Sequence, residues 1–167
     1  MQAEQFTLEK SIWTHQDFEI MGWHDASIHG ISIEKHPESW SGNLLLDIDY
    51  IFKWVDPLPP NKNFTFWVAP CTLVFRECFD LKIDFNLADF SLDSIDITDL
   101  HLKNKIERAS NSFEFEWMIE LHLGQINLKS SGFEQIVKQY PIHSSTMALN
   151  IAERQGINFS RVPCVSK

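Results

Sequence analysis

A period of two constrains this chain more than any other feature. Leu44, Leu46, Ile48, Tyr50, Phe52 and Trp54 take the even positions of one segment, with Asp47, Asp49 and Lys53 between them. Phe79, Leu81, Ile83, Phe85 and Leu87 repeat the device against Asp80, Lys82, Asp84 and Asn86. Phe113, Phe115, Trp117, Ile119, Leu121 and Leu123 do so again, against Glu114, Glu116, Glu120 and His122. Successive side chains of a strand point to opposite faces, so each segment reads as a strand with one apolar and one wet face. The chain is expected to be mainly β.

The remaining segments fit around those three. Phe64 to Phe75 is apolar on both faces, as a central strand covered on each side is. Pro70 lacks an N–H and belongs at a bulge or at an unpaired edge position. Weaker strands are expected over Ser27–Lys35, ended by His36-Pro37, and near Ile95–Leu102. Leu123-Gly124-Gln125-Ile126 reads as a hairpin turn into a strand reaching Lys129. The proline-rich stretch Asp56–Asn61 is a loop, because apolar strands resume directly after it.

Near the end the period changes. Phe133, Ile136, Val137 and Tyr140 are spaced i, i+3, i+4, i+7, which predicts a short helix stopped by Pro141. Ser144 or Ser145 is placed to cap a second helix, with Met147, Ala148, Ile151 and Ala152 inward and Gly156 as its stop. The expected architecture is six or seven mostly antiparallel strands, as a sandwich or a partly open barrel, with short C-terminal helices covering one sheet face. A single domain spans residues 1–167.

Composition narrows the function. Hydrophobic residues make up 44%, with thirteen Phe and six Trp, enough for a packed interior. The formal charge of −9 disfavours nucleic acid, whose binding rests on Lys and Arg neutralising phosphates. Cys71, Cys78 and Cys164 are an odd set without a C-x-x-C pair, so they read as small buried hydrophobes rather than thiolate zinc ligands. Nothing demands disulfides, and a reducing cytoplasm is the expected setting. Glu4, Glu9 and Asp17 replace the basic start of a signal peptide, and no uncharged run is long enough to span a membrane.

Trp23-His24-Asp25-Ala26-Ser27-Ile28-His29 packs two imidazoles, a carboxylate and an indole into one short segment. His24, Asp25 and His29 offer nitrogen and oxygen ligands that suit a divalent metal or a small ligand. His24 and His29, five apart, match neither one strand face nor one helical turn. Asp25 and His29 would meet only in a helix, which Gly30-Ile31-Ser32-Ile33 argues against, so a bend would have to bring the three together. In the alternative, Trp23 packs, Asp25 caps a turn, and His29 lies in register with Ile31 and Ile33 as a core histidine. No G-x-S-x-G elbow and no glycine-rich phosphate loop occurs. No cofactor is expected, a divalent metal at the histidine cluster being the one alternative.

The acids of the alternating strands carry a different expectation. Asp47, Asp49, Asp80, Asp84, Glu114, Glu116 and Glu120 fall on positions predicted to face outward. If their strands are neighbours, they merge into a negative sheet face able to steer a basic protein partner. The same residues would also keep a plain sheet surface soluble.

Met21-Gly22-Trp23-His24-Asp25 followed by Ile28-His29-Gly30-Ile31, with Leu45–Tyr50, Ala69-Pro70 and Thr72–Phe75, resembles members of a small bacterial family of uncharacterised proteins. The likeness would run on through Asp80–Ile83 to Ser131-Gly132-Phe133, and it implies no catalytic residue. In general type, a compact acidic single domain is also similar to immunity proteins that neutralise bacterial toxins. The expected function is that of a non-enzymatic cytoplasmic binding protein that presents an acidic sheet face to a basic partner. The alternatives are a metal- or small-ligand-dependent protein centred on His24, Asp25 and His29, and a barrel holding an apolar ligand among its aromatic residues.

Overall fold

The computed structural model describes residues 6–88 and 91–165. Glu4, read above as part of an acidic N-terminus, lies outside them. The elements in chain order are β1 (Ile12–Thr14), a 3₁₀ turn (His15–Ile20), β2 (Ser27–Lys35), β3 (Gly42–Val55), β4 (Thr65–Phe85), β5 (Ile97–Glu107), β6 (Phe113–Leu121), β7 (Gly124–Ser130), β8 (Gly132–Val137) and β9 (Ile142–Ser144). Among the described residues, no helix is long and apolar enough to cross a membrane.

The long β4 is the spine. One of its edges pairs with β3 from Val55↔Thr65 to Gly42↔Cys78. Its other edge takes three partners in turn: β9 beside Phe66–Val68, β8 beside Cys71–Arg76, and β7 beside Phe79–Phe85. β2 extends the sheet beyond β3, β1 beyond β8, and β6 then β5 beyond β7. Every pairing is antiparallel. The sheet curls into a half-barrel until the start of β2 meets the start of β5. There Ile28 N–H donates to Ile95 O, Asp25 N–H to Ile97 O and Ile97 N–H to Ala26 O.

The two segments read separately as Phe64–Phe75 and Phe79–Leu87 are one strand. It bends at Glu77 (φ 49°) and Asp80 (φ 51°), and the neighbouring chain bends at the same level, between β7 and β8, where Gly132 has φ 142°. Pro70 falls where the second edge of β4 changes partner. Its carbonyl accepts from Lys138 N–H on that edge, so its ring nitrogen faces the gap between β8 and β9, where no donor is needed.

The two C-terminal helices do not form. Phe133–Val137 lies in β8, a strand buried on both faces: Phe133 and Val137 join the main core, while Ile136 packs with Leu45 and Val74 on the opposite side. Apolar residues on both faces of a short strand imitate helical spacing, and tertiary packing decides between the two. After β9 the chain makes bends and a single turn. Asn150 and Glu153 exchange side-chain-to-backbone hydrogen bonds, Arg154 N–H reaches Asn150 O, and Gly156 ends the turn at φ 88°. What covers the sheet is an irregular strap, not a helical layer.

The main core fills the concave side of the half-barrel. Leu44, Leu46 and Ile48 of β3 meet Leu73 and Phe75 of β4, Phe133 of β8, and Trp117 and Ile119 of β6. Burying each such side chain contributes about 1.5–3 kcal/mol. The convex side of β3, β4 and β8 is also apolar. Two small clusters, around Val74 and around Val68, are closed by Phe159, Ile142 and Leu149 of the strap region.

Candidate functional site

The Trp23–His29 segment comes apart when its residues are placed. Trp23 is in the core, its Nε1–H donating to Gln135 Oε1 at 2.8 Å. Asp25 sits in a left-handed turn (φ 62°), with its carboxylate 3.3 Å from the exposed His24 imidazole. His24 Nδ1 lies 3.1 Å from Thr98 O, and the ring stacks beside Trp54. His29 goes elsewhere. The β2–β3 register slips between Ile28 and Gly30, and the bulge turns His29 onto the convex face while Ile28 takes the concave one. The expected register of His29 with Ile31 and Ile33 is therefore wrong by this one inserted residue. Among the described residues no group of three or more His, Cys, Asp or Glu could hold a metal ion. His24, Asp25 and His29 do not converge.

Beneath the strap lies a polar network that His29 joins. Asp47 accepts from Lys138 Nζ and Arg154 Nη2, each at 2.7 Å, from Arg154 Nη1 at 2.9 Å and from Asn158 N–H at 3.0 Å. Asp49 accepts from His29 Nε2 and Leu149 N–H, both at 2.8 Å, and from Arg154 Nε at 3.3 Å. Asp47, Asp49 and Arg154 are shut off from solvent. Burial pushes the Asp47 carboxyl upward, but hydrogen bonds from Arg154 and Lys138 outweigh it and hold the group below the ordinary carboxylate value. For Arg154, burial pulls down and the two aspartates more than restore the charge. The network clamps the strap to the sheet.

Asp47 and Asp49 were expected on a wet outward face, and that expectation is corrected. They do alternate away from the main core, but the strap buries the face they point to. The other acids stay on the convex side of the β4–β7–β6 wing, where β7 separates Asp80 and Asp84 from Glu114, Glu116 and Glu120. Most are paired one to one. Asp80 lies 3.0 Å from Lys129, Asp84 3.8 Å from Lys82, and Glu120 2.8 Å from His101, while Glu114, nearly buried rather than on the wet face expected for it, bonds Arg108. Glu116 sits across from Lys129 on β7. The seven acids do not form one continuous face.

The mouth of the half-barrel offers what the wing does not. A cavity of about 550 Å³ opens there, walled by Phe18, Leu102, Phe113 and Phe115, with His15, Lys105 and Ser112 among its polar groups. Lys105 arrives through a second bulge. The β5–β6 register slips between Leu102 and Asn104, so Lys105 pairs with Phe115 and shares its concave face. Its Nζ lies 4.3 Å from the Phe113 ring centre and 5.7 Å from that of Phe115. His15 packs on Phe115 at 4.9 Å, and its Nδ1 is buried without a hydrogen-bond partner. Burial holds this imidazole below its usual pKa. The Phe133 main chain opposes that shift, and the charges of Arg76 and Lys105 add to it. Neither His15 nor Lys105 stands out in the sequence; the only signal is the pair Phe113 and Phe115 just after the Asn111-Ser112 turn.

The cysteines behave as small hydrophobes. Cys71 is fully buried, burial raises its thiol pKa well above the usual value, and none of the three is in a disulfide. Comparison with protein-family models, curated protein sequences and solved structures finds no match.

Proposed function

We propose that the protein is a non-enzymatic binding module that takes a small, largely apolar group into the mouth of its half-barrel. The observation that carries this reading is the cavity itself. Four aromatic residues and Leu102 are gathered in one wall, polar residues ring the rest, and its size lies in the range of about 300–1,000 Å³ usual for a ligand pocket. The cavity supports the reading of the aromatic content as part of a ligand site. Blockade by a broad acidic face loses support, because Asp47 and Asp49 are buried and β7 divides the remaining acids.

The test is titration of the protein with naphthyl-methanol, followed by backbone amide shifts. Saturable changes should gather at residues 15–18, 102–105 and 112–117. Ser112→Trp, placed on the exposed rim, should fill the mouth and weaken binding by about ten-fold or more. Scattered shifts, or full binding to the filled variant, would remove the cavity from the argument.

A further inference from the structure

We infer that the mouth selects a flat organic anion, an aromatic ring system carrying a carboxylate or a similar group. The inference rests on the mouth being the binding site and adds the chemical class of its ligand. Three observations lead to it.

The local charge runs against that of the whole chain. The protein carries −9, yet Arg76 and Lys105 both act on His15 at the mouth, against Asp17, whose carboxylate is already paired with Lys10. Arg76 is held only loosely, 3.7 Å from Glu134. Lys105 pairs with no carboxylate among the described residues; its ammonium rests over the Phe113 and Phe115 rings instead. A cation parked on ring faces exchanges a weak attraction for a direct ion pair when an anion arrives, without breaking an existing salt bridge.

The walls are flat. Phe115 and Trp117, stacked at 25° with centres 5.6 Å apart, are nearly buried and make the floor, while Phe18 and Phe113, only half-buried, present ring surface at the opening. Ring faces in a row suit a planar ligand body by offset stacking. The neutral groups at the mouth do not compete with Lys105. His15 Nδ1 is buried against Gly132 and the Ser112 hydroxyl donates to Ala109 O, so the ammonium is the group left to read a ligand's charge. Glu19, also on the cavity wall, is exposed to solvent.

Three naphthalene compounds of one shape decide the matter: the carboxylate, the neutral methanol and the methylammonium. Each is titrated into the whole protein at low salt and read by amide shifts. The carboxylate should bind about ten-fold more tightly than the methylammonium, as expected when one charge beside the ligand changes sign. Lys105→Met should bring the two within about two-fold of each other while leaving shifts outside the mouth unchanged. If the methanol binds as well as the carboxylate, the anion assignment falls and the cavity reading stands. If none of the three perturbs the mouth, both fall. A preference for the carboxylate that survives Lys105→Met also overturns the assignment, because the anion would then be read elsewhere.

Discussion

β3 and β6 use the same sequence device and meet opposite fates. Each alternates large apolar residues with acids, Asp47 and Asp49 in one, Glu114, Glu116 and Glu120 in the other. On β6 Glu116 and Glu120 stay half-open to solvent, and Glu114, though nearly buried, meets only the exposed Arg108; Glu114 and Glu120 each have one basic partner. On β3 they are fully buried, and one guanidinium, one ammonium, one imidazole and two backbone N–H groups are gathered onto two carboxylates. Alternation says which face a side chain points to. It does not say what will be laid over that face. The bases that meet Asp47 and Asp49, Lys138 and Arg154, come from the far end of the chain, where no local pattern links them to β3.

The contrast predicts its own largest test. Arg154→Met leaves two buried carboxylates short of their main partner and should cost about 3–5 kcal/mol, read as a drop in urea midpoint. Adding Asp47→Asn and Asp49→Asn to that variant should recover much of the loss, since the cost lies in isolated charge rather than in lost volume. A mild effect of Arg154→Met alone would mean that the strap is not clamped by the network. Acid should find the same weak point. Asp47 is held below the ordinary carboxylate value, so its contribution is complete above that value and is lost as pH falls through the depressed folded one. The strap should therefore detach only well into the acid range, seen as new amide exchange over residues 138–161.

His29 probes the edge of the network. Its bulge position gives Asp49 one of three hydrogen bonds, and Leu149 N–H and Arg154 remain when it is removed. His29→Leu should therefore cost about 1–3 kcal/mol, less than loss of Arg154. An equal loss would make the imidazole a central member rather than a peripheral one.

The sequence was legible where one face decides and opaque where the backbone departs from period. Leu44 to Trp54 and Ser27 to Lys35 are found where expected, because alternation acts locally, while the hairpin turn expected over Leu123–Ile126 falls two residues earlier, at His122–Leu123. Phe133 to Val137 misled because a strand covered on both sides has no single apolar face to report. Two inserted residues hid the sites. The bulge at His29 removed it from the metal cluster proposed with His24 and Asp25, and the slip after Leu102 brought Lys105 into the mouth. A bulge reverses the facing of every residue after it and leaves no composition signal. For that reason the core could be read from the sequence and the cavity could not.

The wing supplies the smallest effect and the cleanest contrast. Glu120→Gln removes the charge that meets His101 in a pair about half open to water. High dielectric and counterions leave such a pair worth at most about 0.5 kcal/mol after the cost of ordering both side chains. The urea midpoint should barely move, and raising salt should erase what change there is. Salt should do little to the penalty of Arg154→Met, whose partners are out of reach of ions. A large, salt-resistant loss from Glu120→Gln would place a second buried network on β6. The two strands would then differ in degree, not in kind.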